Sequence, residues 1–224
     1  KLRGVRCYSP SSKEIHMLNQ IKIHSALAEA MAARSYDTMT PVQEAVLKIE
    51  KANADLLVSA QTGSGKTLAF GISIANTLLF ENSEFNQPRL PLALVIAPTR
   101  ELALQVRKEL EWLYARTKAQ FASCVGGMDS RAERRTLENG AHIVVGTPGR
   151  LRDHIERGAL CLSETKAIVL DEADEMLDMG FREDLTFILE KAPLSRRTLL
   201  FSATVSNQIA EMARTYQKEA IRIF

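Results

Sequence analysis

The chain has 224 residues and a mass of 24.9 kDa, a length that suits one compact domain and would leave two small ones if split. Hydrophobic residues make up 46% and charged residues 25%, close to ordinary globular usage, so neither a disordered chain nor a fibre is indicated. With 29 Lys and Arg against 27 Asp and Glu, the formal charge is only +2, which excludes a polycation holding nucleic acid by bulk charge. Any such binding has to come from placed groups. No apolar run approaches the roughly 18–20 residues of a membrane span, and residues 1–12 lack the apolar stretch of a secretory signal. Cys7, Cys124 and Cys161 are odd in number and lack metal-ligand spacing, which points to a reducing cytoplasm.

The first 16 residues differ from the rest. The stretch Cys7-Tyr8-Ser9-Pro10-Ser11-Ser12 is turn-like, and His16-Met17 is a dipeptide that a common cloning junction encodes. Met17 is therefore the expected native start, with residues 1–16 a vector leader or a short natural extension. Residues 26–33 are Ala-rich and helical in pattern, and a second helix is expected over 42–51, after Pro41. A rhythm of short apolar runs follows, at 55–60, 93–97, 121–125, 142–146, 167–171 and 198–202. Helical stretches fall between most of them, at 66–79, 100–115, 130–139, 151–157 and 181–191. A last helix over 208–216 and a closing strand over 220–224 complete the pattern. Strands apolar on both faces and alternating with helices predict an α/β fold: an open, mainly parallel sheet covered on each side, with ligands at the carboxyl ends of its strands.

The segment Ala60-Gln61-Thr62-Gly63-Ser64-Gly65-Lys66-Thr67 lies where the first strand ends and a helix begins. Its glycines let backbone N–H groups point at phosphate oxygens, and the helix N-terminus adds favourable partial charge. Lys66 can reach the β- and γ-phosphates, and the Thr67 hydroxyl can ligate Mg²⁺. The usual first glycine of this pattern is Ala60. Further on, Asp171-Glu172-Ala173-Asp174 follows the apolar run Ala167-Ile168-Val169-Leu170. An acidic tetrad alone would be a solvated helix start. Paired with the phosphate loop, it makes Asp171 the expected Mg²⁺ partner and Glu172 the group that positions and deprotonates an attacking water.

Together with Ser202-Ala203-Thr204, these segments make the chain resemble the first RecA-like domain of a DEAD-box RNA helicase of bacterial type. Pro98-Thr99-Arg100-Glu101-Leu102-Ala103, Gly126-Gly127 and Thr147-Pro148-Gly149-Arg150-Leu151 match further motifs in the family's order, and Thr40-Pro41-Val42-Gln43 resembles its adenine-reading segment. The similarity covers residues 18–224 and implies a P-loop NTPase fold, ATP and Mg²⁺ as cofactors, and RNA as partner. By position, Gln43 would read adenine, with Tyr36 as the aromatic near the base. The family's upstream stacking aromatic falls near Leu18, its glycine before the tyrosine is Ser35, and its proline is Met39. Ser202 and Thr204 would bond to Asp174 and tie hydrolysis to strand separation; read as bare residues, they would cap the next helix.

For RNA, the resemblance implies Pro98, Thr99, Arg100, Gly126, Gly127, Thr147, Pro148, Gly149 and Arg150, residue types that contact phosphate and sugar without reading sequence. Arg131, Arg134 and Arg135, interrupted by Glu133, are read as a solvated face. The family's second RecA-like domain, which carries an arginine finger, is not in this sequence, and such an arginine is worth about 10³–10⁵ in rate. The expectation is thus a monomeric, membrane-free ATP-binding half that hydrolyses poorly by itself. The alternatives are a P-loop ATPase acting on DNA or protein, and a nucleotide-dependent RNA-binding or scaffold module.

Overall fold

A computed structural model describes residues 23–49, 53–127 and 129–224. The expectations placed on residues 1–16, Met17 and Leu18 lie outside this range. Helix α1 (Ser25–Ala33) is followed by α2 (Pro41–Leu47). The second helix starts where its sequence dictates. The Thr40 hydroxyl accepts from the Gln43 N–H, the Gln43 side chain accepts from the Thr40 N–H, and Pro41 occupies the first turn, where no N–H is needed. It stops at Leu47 rather than continuing to 51.

Seven strands then alternate with helices: β1 (Leu56–Ser59), α3 (Lys66–Leu79), β2 (Ala93–Ile96), α4 (Arg100–Leu113), β3 (Phe121–Cys124), α5 (Ser130–Glu138), β4 (Ile143–Gly146), α6 (Pro148–Glu156), β5 (Ala167–Leu170), α7 (Ala173–Asp178), α8 (Arg182–Lys191), β6 (Arg197–Ser202), α9 (Asn207–Tyr216) and β7 (Ile221–Ile223). They form one sheet in the order β3-β4-β2-β5-β6-β1-β7, and every pairing is parallel. The sheet is thus parallel throughout rather than mainly so.

Two apolar cores flank the sheet, and the strand residues divide between them with period two. Leu56, Val58, Val95, Val145, Val169, Leu199 and Phe201 face the core under α1–α4. Leu57, Leu94, Ile96, Val144, Ile168, Leu170 and Leu200 face the core under α6–α9. Every predicted strand exists, most of them a residue or two shorter. Ala60 and Ala97 still donate to Ser202 and Gly146, so the ladder continues for one bond after the chain has turned away. At β6 the strand instead begins a residue early, at Arg197, whose buried guanidinium donates to the carbonyls of Ala54 at 2.6 Å and Ser73 at 2.8 Å. Burial pushes that group down to about 10.

Helix α7 has no counterpart among the predicted helices, because six residues are too few to show a period. Helix α6 begins at Pro148 rather than 151, so the Thr147–Arg150 segment is a helix start and not a loop.

Candidate active site

The strand order puts the ends of β5, β6 and β1 side by side, and with them the acidic tetrad, Ser202–Thr204 and the phosphate loop. The loop closes on α3 through Gly65, whose φ of +85° is left-handed and suits glycine. Gln61, Thr62 and Gly63 are exposed, while Lys66 is buried. Its Nζ lies 2.7 Å from Glu172 Oε1 and 3.7 Å from Asp171 Oδ1. Thr62 Oγ1 donates to the same Glu172 oxygen at 2.9 Å. Glu172 itself has φ 51° and ψ 50°, a left-handed conformation that costs a side-chain-bearing residue about 1 kcal/mol or more. The bonds from Lys66 and Thr62 hold the carboxylate in place despite that cost.

Asp171 accepts from the Glu172 N–H at 3.0 Å, and its own N–H donates to Ile96 at 2.9 Å. Burial raises its carboxyl to about 6, with Lys66 opposing and Glu172 adding to the rise. The oxygen donors of Thr67 and Asp171 are the hard ligands a phosphate-bound Mg²⁺ takes. The residues present therefore fit such an ion.

Asp174 Oδ2 accepts from both the N–H and the hydroxyl of Thr204, each at 2.9 Å. Burial alone would raise this carboxyl, but the hydroxyls of Thr204 and Ser202 hold it below the usual carboxylate range. The Ser202 hydroxyl also donates to the Thr204 carbonyl at 2.7 Å. Neither residue caps α9; Ser206 does, accepting from the Ile209 N–H. The capping alternative is thereby corrected, because the chain runs four residues past Ser202 before the helix begins.

Gln43 is fully buried behind the phosphate loop. Its Nε2 donates to the Gly65 carbonyl and to the Tyr36 hydroxyl, both at 3.0 Å, and its Oε1 accepts from the Thr40 N–H. The carboxamide is thus engaged entirely by protein groups, and Tyr36 packs toward Trp112 with ring centroids 6.5 Å apart.

The remaining candidates gather at the ends of β2, β4 and β3, the other half of the same edge. Thr99 caps α4 by accepting from the Leu102 N–H, so its hydroxyl is committed. Thr147 opens α6 with no side-chain cap bond. Arg100 Nη1 donates to the Gly126 carbonyl at 3.4 Å, against a turn in which Gly126 and Gly127 have φ of +71° and +66°. Arg150 is not a free cation. Its Nε is 2.6 Å from Glu133 Oε1, and Glu133, read from sequence as part of a solvated face, is only 4% exposed. The signal available in the sequence is phase: Glu133 stands four residues before Leu137, a partly buried apolar residue of α5 that packs against the core, and so on the same inward face.

A parallel sheet with a phosphate loop after β1 and an acidic strand end two places away defines a P-loop, RecA-like nucleotide-binding domain. The family model for the DEAD/DEAH box helicase matches residues 40–212, and the chain belongs to that family. It is 41% identical over 200 residues to the DEAD-box ATP-dependent RNA helicase CshA of Geobacillus kaustophilus, covering 89% of this chain and 42% of that protein. It is 36% identical over 220 residues to the ATP-dependent RNA helicase RhlB of a Shewanella species, covering 94% and 49% respectively. A solved DEAD box protein from the hyperthermophile Methanococcus jannaschii superposes with a TM-score of 0.82 at 35% identity, over 92% of this chain and 55% of that one. The chain thus spans less than half the length of these curated relatives.

Proposed function

We propose that this chain is the ATP-binding, RNA-contacting domain of an RNA-dependent ATPase that separates short duplexes once joined to a second RecA-like domain. The observation that carries the reading is the convergence of Lys66, Asp171, Glu172 and the Asp174–Thr204 pair on three adjacent strand ends. Lys66, which is bonded to Glu172, would transfer to the β- and γ-phosphates, leaving the Glu172 carboxylate to orient a water and take its proton. Thr67 and Asp171 would hold Mg²⁺, which when bound supplies positive charge to the triphosphate oxygens. Gln43 would reach adenine only by exchanging some of its present bonds, so base recognition and the position of Gly65 would be linked through one carboxamide.

On the other half of the edge, Arg100, the Gly126–Gly127 turn, and the Thr147 hydroxyl with the start of α6 would meet the RNA backbone. This surface offers backbone N–H groups, one uncommitted hydroxyl and guanidinium edges, a set that selects phosphate and sugar rather than bases. The reducing, cytoplasmic setting belongs to the same reading and rests on the odd cysteine count without metal-ligand spacing.

The test is ATP hydrolysis by the chain joined to a second RecA-like domain, measured with and without single-stranded RNA, and with DNA of the same sequence. Stimulation by RNA alone supports the reading; equal stimulation by DNA would replace it with a DNA-directed ATPase. Glu172→Gln is expected to lower turnover by roughly 10²–10⁴-fold, the usual worth of a general base, while nucleotide still binds.

A further inference from the structure

We propose that Glu133 is a positioning residue of the RNA face, a single buried carboxylate that fixes the Gly126–Gly127 turn and Arg150 in one register. The inference rests on the RNA-face reading above. Three donors from two segments converge on this side chain. Val125 N–H, next to the glycine turn, donates to Oε2 at 2.7 Å. Arg150 Nε donates to Oε1 at 2.6 Å, and His154 Nε2 lies 3.1 Å from the same oxygen. The first donor directly follows β3, and the other two stand on α6, so α5 joins the two RNA-facing segments through one residue.

The geometry assigns the Arg150 side chain two different edges. Its Nε is taken by Glu133, and its Nη1 lies 4.0 Å from Asp153, on a side chain that is 22% exposed. Arg100 closes directly on the turn, where a Cβ on Gly127 would come within 2.2 Å of its Nη1. The turn therefore meets one guanidinium directly and is tied to a second, that of Arg150, through Glu133. Phosphate-binding loops work when backbone N–H groups and cations keep fixed relative positions, and a carboxylate shared by both supplies that constraint.

A metal centre is the competing reading, since Cys124, Glu133 and His154 place one ligand atom each within 4.8 Å of one another. The Arg150 guanidinium already sits on the Glu133 oxygen as the resident cation. Burial, reinforced by Glu133, also pushes the Cys124 thiol far above its ordinary value, opposing the thiolate a metal needs. The cluster is therefore an ion-pair junction.

The experiment measures binding of a fluorescein-labelled oligouridine and, in parallel, of a non-hydrolysable ATP analogue to the unaltered chain, Glu133→Ala and Glu133→Gln. Glu133→Ala is expected to weaken RNA binding about tenfold, the equivalent of one lost charge-assisted contact, while affinity for the ATP analogue changes less than about twofold. Glu133→Gln keeps one acceptor, enough for the Val125 N–H, but turns an NH₂ toward Arg150 and His154, so it should recover only part of the RNA affinity. If Glu133→Ala does not fold, the Gln variant decides the matter, because RNA affinity equal to that of the unaltered chain would then overturn the proposal. Losing the register of Arg150 removes one phosphate contact, so the log–log salt dependence of RNA binding should become shallower by roughly 0.7 in Glu133→Ala, and an unchanged slope would overturn the proposal. A folded Glu133→Ala that binds RNA like the unaltered chain would overturn it too. Failure of the unaltered chain to bind RNA would overturn the RNA face itself, and this inference with it.

Discussion

Lys66, Glu172 and Thr62 form a closed set, and the phosphate loop is held to the acidic strand end by their bonds. Gly65 is the residue on which the arrangement turns. A methyl group there would lie 2.5 Å from Gln43 Nε2 on a backbone with φ +85°, so alanine is excluded by both space and conformation. Gly65→Ala should therefore lower affinity for an ATP analogue at least about tenfold and cost roughly 1–2 kcal/mol of stability. Titration calorimetry and a thermal melt read the two effects separately. Unchanged nucleotide binding would show that the Gln43–Gly65 contact is dispensable.

Two elements far from the site are held by side chains rather than by ladders. Residues 81–91 run along the base of the sheet, where His142 Nε2 lies 2.8 Å from the Asn86 carbonyl and its Nδ1 accepts from the Gln120 N–H at 2.9 Å. The ring stacks on Phe85 at 4.6 Å. Burial pushes this imidazole below its ordinary 6.5, although the bond to Asn86 pulls the other way. The fold therefore favours the neutral ring. Its contribution is complete above about pH 6.5, where the unfolded chain is also neutral, and is lost as pH falls through the lower folded value. Thermal midpoints should drop on the acid side of that pH, and His142→Phe should flatten the drop. A profile identical in the two proteins would locate acid sensitivity elsewhere.

The closing strand β7 depends on Asp55, whose two oxygens accept from the Thr198 N–H at 2.8 Å and the Lys218 N–H at 2.7 Å. Asp55→Ala removes both acceptors and should cost about 2–4 kcal/mol, visible as a lower urea midpoint. A loss under roughly 1 kcal/mol would mean that pairing of β7 with β1 suffices without the carboxylate.

At the scale of the molecule, one sheet edge carries two surfaces. The ends of β5, β6 and β1 make the proposed nucleotide half, and those of β2, β4 and β3 the proposed RNA half. The Asp171 N–H bond to Ile96 joins them where β5 meets β2. Gln61, Thr62 and Gly63 stand open to solvent, and under the proposed function a second RecA-like domain would close over them. We expect this chain alone to turn ATP over slowly, and addition of a second RecA-like domain bearing an arginine to raise RNA-stimulated turnover by about 10³–10⁵. Full turnover by the chain alone, in a steady-state assay, would show that its site is already complete.

The sequence by itself determined the α/β class, every strand, and the candidate residues of the nucleotide site. Those signals are local: short runs apolar on both faces, a glycine-bearing loop ahead of a helix, and acidic residues just past a strand. Its errors fell where local signals compete or are too short. The end of α2, the short helix α7 and the early start of α6 are set by packing and by Pro148 at the helix N-terminus, not by periodicity. Only the tertiary structure decided how charged side chains are partnered, because an ion pair joins residues distant in sequence. Glu133, embedded among arginines, looks solvated in the sequence. It is buried because α5 turns the face it shares with Leu137 toward β3, within reach of Val125 and Arg150.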